Sequence, residues 1–126
     1  MWYGVVAGGG VALLNAQSAL CNVAASNIED QVANKLLARM LEEPMRTIAK
    51  NAGYIPEVVL ENVKTAGMGF GLDATTGQIV DIEACGVLDS VSVLKKALEI
   101  AISSAALALT TDVIVHHKKP VECVEP

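Results

Sequence analysis

The sequence predicts a mainly α-helical fold: a bundle of about five helices with a small β-hairpin and a C-terminal strand. Three observations support this prediction. Apolar residues make up 52% of the 126-residue chain but aromatic residues only 3%, so a core must be built from small, closely packed aliphatic side chains. Apolar residues recur at helical spacing in several segments. Glycine and proline separate these segments, as they do at helix ends.

The first predicted element is a short apolar run that ends in three glycines, Gly8 to Gly10, and leads into a helix over VALLNAQSALCNVAA. A glycine turn at a helix start can bind an anion through its backbone N–H groups. No lysine follows as in a phosphate-binding loop, however, and the glycines taken alone favour a tight turn into a helix over an anion site.

The second predicted helix, NIEDQVANKLLARMLEE, opens with a capping box formed by Ser26 and Glu29. Its spacing predicts one apolar face directed at the core. The residues of that face are Ile28, Val32, Leu36, Leu37, Met40 and Leu41. Two shorter helices follow, each with a proline near its start and a glycine after its end: Pro44 to Gly53 and Pro56 to Gly67.

The next segment predicts a β-hairpin, because a glycine-containing turn separates two short runs. Gly69 to Asp73 forms the first strand, Ala74 to Gly77 the turn, and Gln78 to Asp81 the return strand. Asp89 then precedes a helix that starts at Ser90, where it has the position of an N-cap.

The fifth helix, Ser90 to Leu109, is predicted to be the central helix of the core. Its core-facing residues are Val93, Leu94, Leu98, Ile102 and Ala105. The β-branched run after it predicts a strand over Val113 to His117, which needs a pairing partner because an open strand edge associates. His116 and His117 point to opposite faces of such a strand, so they do not chelate one metal ion together, and an exposed strand end is the simpler interpretation.

Composition argues against several classes of function. The net charge is −5 and the nine basic residues are scattered, which argues against a nucleic-acid surface. The three cysteines, Cys21, Cys85 and Cys123, form no CxxC pair, so a reducing compartment is expected, by default the cytoplasm. Neither a signal peptide nor a membrane span is expected, since the N-terminus lacks a charged region and the most apolar helix carries charges.

Several motifs, in this order and spacing, resemble the C-terminal part of group I chaperonins, the GroEL family. They are VVAGGGVALL, EDQ at a helix start, EEPMRTIAKNAG, GFGLDATTGQIVDI, GVLDSVSVLKKAL and ALALTTDVIV. The resemblance runs from about Gly4 to Pro120. It implies that residues 1–126 are a single segment like the C-terminal half of a chaperonin equatorial domain, with no apical or intermediate domain.

The resemblance also implies a site for the adenine and ribose side of ATP. The six matching residues are Gly9, Asp73, Ala74, Thr75, Val87 and Asp89. In the family a glycine backbone lies against the nucleotide, the hairpin residues approach the base, an apolar side chain touches adenine, and the last aspartate accepts from the ribose hydroxyls, as an ionised carboxylate can. This chain departs from the family pattern at Asp73, where Asn is usual, at Thr75, where Ala is usual, and at Ser90, where proline is usual.

The family's Gly-Asp-Gly-Thr-Thr loop, which holds the phosphates and Mg²⁺, and its catalytic aspartate have no match in this sequence. We therefore expect ATP as the nucleotide, with Mg²⁺ bound only in the intact family, and neither a metal site nor a catalytic residue here. Phosphoryl transfer depends on positioning and charge neutralisation, so the chain alone is expected to be inactive. Two functions remain open. One is a segment of an ATP-dependent chaperonin that assists protein folding, and the other is a stand-alone helical interaction module or truncated subunit that binds chaperonin subunits without ATPase activity.

The expected partners are other chaperonin subunits, in a homo-oligomer, with co-chaperonin and unfolded clients reached only through the missing domains. Neither nucleic acid nor a membrane is expected as a partner. In the family, a terminal strand that matches Val113 to His117 pairs with a hairpin of the neighbouring subunit. Self-association of this chain through that strand or through apolar faces is therefore expected, and Ile114→Pro should reduce it by removing a ladder donor.

Overall fold

The computed structural model describes residues 4–21 and 23–115 and shows five helices and four short strands in them. In chain order these are β1 (Val5–Ala7), α1 (Val11–Cys21), α2 (Ile28–Met40), α3 (Glu43–Asn51), α4 (Pro56–Ala66), β2 (Phe70–Leu72), β3 (Ile79–Asp81), β4 (Leu88–Ser90) and α5 (Val91–Leu109). The predicted mainly α fold, with a hairpin between the fourth and fifth helices, is confirmed.

The chain divides into two compact units, Met1–Leu94 and Lys95–Pro126. The first contains α1 to α4, all four described strands and the first turn of α5. The second contains the remainder of α5 and the described residues after it.

Helix α2 is capped one residue later than the sequence predicted. Asn27 is the N-cap, and its Oδ1 accepts a hydrogen bond from the backbone N–H of Asp30 at 2.7 Å. The Asp30 carboxylate in turn accepts from the backbone N–H of Ser26 at 3.2 Å. The Ser26–Glu29 capping box is therefore wrong by one residue, because Asn caps a helix at least as well as Ser.

Helices α3 and α4 have the predicted ends. Each has a proline in its first turn, where a missing N–H costs nothing. After α3, Gly53 adopts a φ of 84°. Its N–H donates to the carbonyl of Lys50 at 3.1 Å, and the N–H of Tyr54 donates to the carbonyl of Ala49 at 2.9 Å. This pair of bonds is the Schellman motif, which satisfies carbonyls that the helix leaves free.

The predicted hairpin is confirmed. Strands β2 and β3 are antiparallel, with Phe70 opposite Asp81 and Leu72 opposite Ile79. The N–H of Asp73 donates to the carbonyl of Gln78 at 2.9 Å, which closes the turn.

A second antiparallel pair joins two distant parts of the first unit. β1 pairs with β4, and Val6 lies opposite Asp89. Asp89 is therefore a strand residue and not the N-cap of a helix starting at Ser90, since α5 begins at Val91. As a strand residue, Asp89 lies in a segment whose backbone N–H and C=O groups are paired with β1, whereas an N-cap would have left them to solvent.

The core of the first unit lies among α1, α3, α4 and the two sheets. Its buried residues are Ala7, Val11, Leu14, Met45, Ala49, Val59, Leu60, Val63, Leu72 and Ile82. Met45 and Ala49 are completely buried. No aromatic side chain is among these residues, in keeping with the aliphatic core that the composition predicted.

The single apolar face predicted for α2 is in fact two faces. Leu37 is half-buried, and Leu41, just after the helix, is buried. The other predicted core residues of this helix are exposed: Ile28, Val32, Leu36 and Met40. Each step of four residues turns about 40° around a helix, so these four form a stripe that begins opposite Leu37 at Ile28 and comes closer to it at Met40.

The prediction that α5 is the central core helix is wrong, because none of its residues is buried. Val93 and Ile102, which its spacing placed in the core, are exposed. An apolar stripe is buried only where another element covers it, and periodicity does not show whether such an element exists.

The predicted C-terminal strand is not formed in the part that the structure describes. Residues 111–115 have no regular secondary structure, and Val113, Ile114 and Val115 are exposed. A strand requires a ladder partner, and a β-branched sequence alone does not supply one. His116 and His117 lie outside the described residues.

Candidate functional site

The glycine turn between β1 and α1 is built around close backbone contacts. The N–H of Gly8 donates to the carbonyl of Val87 at 2.9 Å. A Cβ on Gly8 would lie 3.0 Å from that carbonyl oxygen, so a larger residue would push the two segments apart. Gly9 has a φ of 64° and nothing within 4 Å of its Cβ position. The backbone of Gly9 is therefore open to a ligand.

Pairing of β4 with β1 places Asp89 near the glycine turn. It lies opposite Val6 in the β1–β4 ladder, one residue before the Ala7–Gly8 junction. Asp89 is half-buried, and its carboxylate has no hydrogen bond or ion pair with the described part of the chain. The structure thus brings together the segments of Gly9, Val87 and Asp89. Val87 supplies an apolar side chain, Asp89 a carboxylate with no bound donor among the described residues, and Gly9 an open backbone.

The polar groups of the hairpin tip form hydrogen bonds with one another. The carboxylate of Asp73 accepts from the Oγ1 of Thr76 at 2.7 Å and from the backbone N–H of Thr75 at 2.9 Å. The hydrogen bond from the Thr76 hydroxyl, with that from the Thr75 N–H, lowers the pKa of Asp73. The carboxylate at this position therefore holds the turn. Ala74 and Thr75 are exposed at the tip.

Backbone hydrogen bonds connect the base of the hairpin, through Val87, to the glycine turn at Gly8. At its base, the N–H of Ile82 donates to the carbonyl of Gly69, and the N–H of Val87 donates to the carbonyl of Ile82. At its tip, Gly77 lies against the ring of Tyr54. Three-residue strands separate the ends by roughly 10 Å. Backbone pairing therefore connects the segments of Gly9, Val87 and Asp89, and no hydrogen bond between described residues joins these segments to Asp73, Ala74 or Thr75.

An ionic cluster around a largely buried carboxylate, between α1, α3 and α4, was not predicted. Glu42 is its centre, with 12% of its side chain exposed. Its Oε1 accepts from the Nζ of Lys64 at 2.7 Å and from the Nε2 of Gln17 at 3.1 Å, and its Oε2 accepts from Arg46 at 3.0 Å. Gln17 also donates to the carbonyl of Ala38. One carboxylate thus connects α1, α3 and α4.

The electrostatics of this cluster favour the ionised carboxylate. Burial alone would raise the pKa of Glu42, but hydrogen bonds from Lys64, Gln17 and Arg46 outweigh it and lower the pKa to about 2, from 4.5. The hydrogen bond to Glu42 correspondingly raises the pKa of Arg46. Arg46 also donates to Glu57 at 2.7 Å. A carboxylate so fully paired cannot act as a general base, so its role is structural.

Part of this cluster was available from the sequence. Glu42 and Arg46 are four residues apart, a spacing that pairs opposite charges on a helix. Lys64 and Gln17 are more than twenty residues from Glu42 in the chain, and only the tertiary fold brings them to it.

A cleft of about 360 Å³ lies between α1 and the end of α4. Its lining residues are Leu14, Asn15, Gln17, Ser18, Val63, Lys64, Gly67 and Met68. It contains none of the six predicted site residues, and the amine of Lys64 already binds Glu42. In the described ranges, no three His, Cys, Asp or Glu residues could hold a metal ion, and no helix is long and apolar enough to cross a bilayer.

Comparison with known protein families agrees with the resemblance seen in the motifs. The chain matches the TCP-1/cpn60 chaperonin family over residues 3–119. The chain therefore belongs to the TCP-1/cpn60 chaperonin family. Membership supports a chaperone role in protein folding and assembly with other subunits.

Proposed function

We propose that this chain is a segment of an ATP-dependent group I chaperonin and supplies the adenine and ribose wall of its nucleotide site. The observation that carries the proposal is the β1–β4 pairing, extended by the Gly8–Val87 hydrogen bond of 2.9 Å. It brings Gly9, Val87 and Asp89 together from segments almost eighty residues apart in the chain. Subunits of the same kind are the proposed partners, and the cytoplasm is the proposed compartment.

The three residues offer what an adenosine requires. The Asp89 carboxylate has free acceptor oxygens, and a ribose diol presents two donors to them. Val87 is 46% exposed, which leaves an apolar side chain for the base to cover. The open backbone of Gly9 allows close approach without steric conflict.

The hairpin tip is proposed to contact the base through its backbone and not through the Asp73 side chain. Because the carboxylate of Asp73 is bound by Thr75 and Thr76, it does not act as the amide donor of an Asn at this position would. Base contact is therefore assigned to the backbone of the tip, including Ala74, and the main polar contact to Asp89.

The proposal covers only the nucleoside part of ATP. In the intact family Mg²⁺ neutralises the phosphates, but the described residues here include no carboxylate cluster for a metal, and the sequence has no Gly-Asp-Gly-Thr-Thr motif. Phosphate contacts supply much of the affinity in such sites. We therefore expect weak binding. The Kd for ATP should be lower than the Kd for adenosine by no more than about threefold.

The test is an NMR titration of the ¹⁵N-labelled chain with adenosine and, separately, with ATP and Mg²⁺. Both ligands should shift the amide signals of Gly9, Val87 and Asp89. Asp89→Asn should weaken binding by about tenfold, since it removes hydrogen bonds to a charged acceptor. Asp112→Asn is the matched control, because Asp112 is exposed and distant in sequence from the site.

The proposal would be refuted if the amide signals of these three residues did not shift, or if Asp89→Asn left the affinity for the nucleoside unchanged. Mg²⁺-dependent hydrolysis of ATP that Asp89→Asn abolishes would contradict the expected inactivity of the chain.

A second candidate function is an interaction module that binds chaperonin subunits without using ATP. The exposed apolar residues of α2 favour it, since contiguous apolar surface marks interaction sites. Absence of nucleoside binding, together with association with chaperonin subunits, would favour this candidate over the first.

A further inference from the structure

The hairpin tip is a closed turn from Asp73 to Gln78. The N–H of Asp73 donates to the carbonyl of Gln78 at 2.9 Å, and the N–H of Gly77 donates to the carbonyl of Asp73 at 2.8 Å. Within this turn the Asp73 carboxylate accepts from Thr75 and Thr76. No hydrogen bond between described residues joins the turn to another part of the chain. The hydrogen bonds therefore fix the shape of the tip but not its orientation.

The ring of Tyr54 is the contact that orients the tip, and it lies against Gly77. A Cβ on Gly77 would lie 2.5 Å from the Tyr54 hydroxyl oxygen, 2.7 Å from Cζ and 2.8 Å from Cε1. Gly77 also has a φ of 74°, a left-handed conformation that other residues rarely adopt. Glycine at this position therefore allows both the turn and the close approach of the ring.

Tyr54 is itself held in place by the core of the first unit. It lies in the connection between α3 and α4, and its backbone N–H donates to the carbonyl of Ala49 at 2.9 Å. Ala49 is completely buried. The side chain of Tyr54 is partly buried and packs against the core cluster. Its backbone and its ring are both attached to the core, so Tyr54 gives the tip a fixed support.

We propose that Tyr54 is a positioning residue for nucleoside binding: its ring holds the hairpin tip through Gly77 and so sets where the backbone of Ala74 meets the base. This role rests on the proposed function, in which the backbone of the tip contacts the base. A turn that is already in position binds without the cost of ordering a mobile loop. Without the ring, the tip is free to pivot on β2 and β3, and binding must include that cost.

The first part of the experiment measures the contact without ligand. In Tyr54→Ala, hydrogen exchange of the Gly77 amide should be faster by about threefold or more, because the turn moves away from its support more often. The Gly8 amide, which donates to the Val87 carbonyl, should exchange at the wild-type rate. Tyr54→Phe retains the ring and should match the wild type. So should the matched control Ile55→Ala, since Ile55 is the next residue and is 65% exposed.

The second part is an NMR titration of the same ¹⁵N-labelled variants with adenosine. In the wild type, the amide signals of Ala74, Thr75 and Asp89 should shift. In Tyr54→Ala the shifts at Ala74 and Thr75 should be lost and the Kd should rise by about three- to tenfold, while Asp89 still shifts at saturation. A general loss of folded protein would reduce all three shifts together, so a loss confined to the tip is specific to positioning.

Far-UV circular dichroism confirms that each variant keeps its helices. The inference would be overturned if Tyr54→Ala left the exchange of the Gly77 amide at the wild-type rate, or if it retained the shifts at Ala74 and Thr75. Equal losses in Ile55→Ala would also overturn it. A wild-type chain in which adenosine shifts none of these amides would refute the proposed function and the inference with it. Wild-type binding that does not respond to Tyr54→Ala would refute the inference alone.

Discussion

Helices α2 and α3 are neighbours in the chain but differ in what happens to their apolar residues. α3 has few of them, yet Met45 and Ala49 are completely buried. α2 has more, yet none is buried. The difference is one of position. α3 packs against α4, and its buried residues join one core cluster with Ala7 of β1 and Leu72 of β2, whereas the outer face of α2, which carries the exposed apolar stripe, has no neighbour among the described residues. Amphipathic spacing identifies a face that can be buried, and the tertiary neighbours decide whether it is.

The two regions also differ in their polar groups. Beside α3, Glu42 is paired by three donors from three segments. On the outer face of α2, Glu29 and Arg39 have no ion pair with the described residues. Buried charge must be paired within the chain, while exposed charge can remain available for another molecule.

The largest expected effect lies in the core. Met45→Ala should reduce the free energy of unfolding by about 2–5 kcal/mol, because it leaves a cavity where a fully buried side chain was. Met68→Ala is the matched control, since Met68 is 81% exposed, and it should change stability by less than about 0.5 kcal/mol. Urea denaturation followed by circular dichroism measures both. Equal costs for the two variants would show that the assigned core is wrong.

An intermediate effect is expected from Glu42, and it depends on pH. The pKa of Glu42 is about 2 in the folded chain against an ordinary 4.5, so its ionised form stabilises the fold. This stabilisation is complete above about pH 4.5 and is lost as the pH falls towards about 2. Glu42→Gln should therefore cost about 2–3 kcal/mol near neutral pH.

The difference between wild type and Glu42→Gln should shrink as the solution is acidified, in unfolding measured at a series of pH values. Glu61→Gln serves as the control, because Glu61 is exposed on α4 and should not alter the pH profile. A difference between wild type and Glu42→Gln that stays constant below about pH 3 would contradict the ionic role of Glu42.

The smallest effect is expected on α5. Ile102→Ala should change the free energy of unfolding by less than about 0.5 kcal/mol, because Ile102 is 44% exposed and no residue of α5 is buried. The periodicity of this helix predicts a core position and hence a much larger loss. A cost of about 2 kcal/mol or more in the same denaturation experiment would favour the sequence-based interpretation.

The local features of the fold could be predicted from the sequence because short-range chemistry determines them. Proline and glycine set the ends of α3 and α4, and the turn at Asp73 to Gly77 set the register of the hairpin. The error at the start of α2 was a single residue, since Ser26 and Asn27 are adjacent and both cap helices. The family could also be predicted, because its motifs occur in a fixed order and family comparison matches residues 3–119.

Only the tertiary structure decided which residues meet and which apolar faces are covered. The pairing of β1 with β4 sets Val6 opposite Asp89 and so brings together segments from opposite ends of the first unit, and the Glu42 cluster gathers Gln17 and Lys64 from separate helices. Likewise, the exposure of α2, α5 and Val113 to Val115 depends on partners that a helical period or a β-branched run does not specify. Propensity acts over a few residues, whereas burial is a property of surfaces brought together by the whole fold.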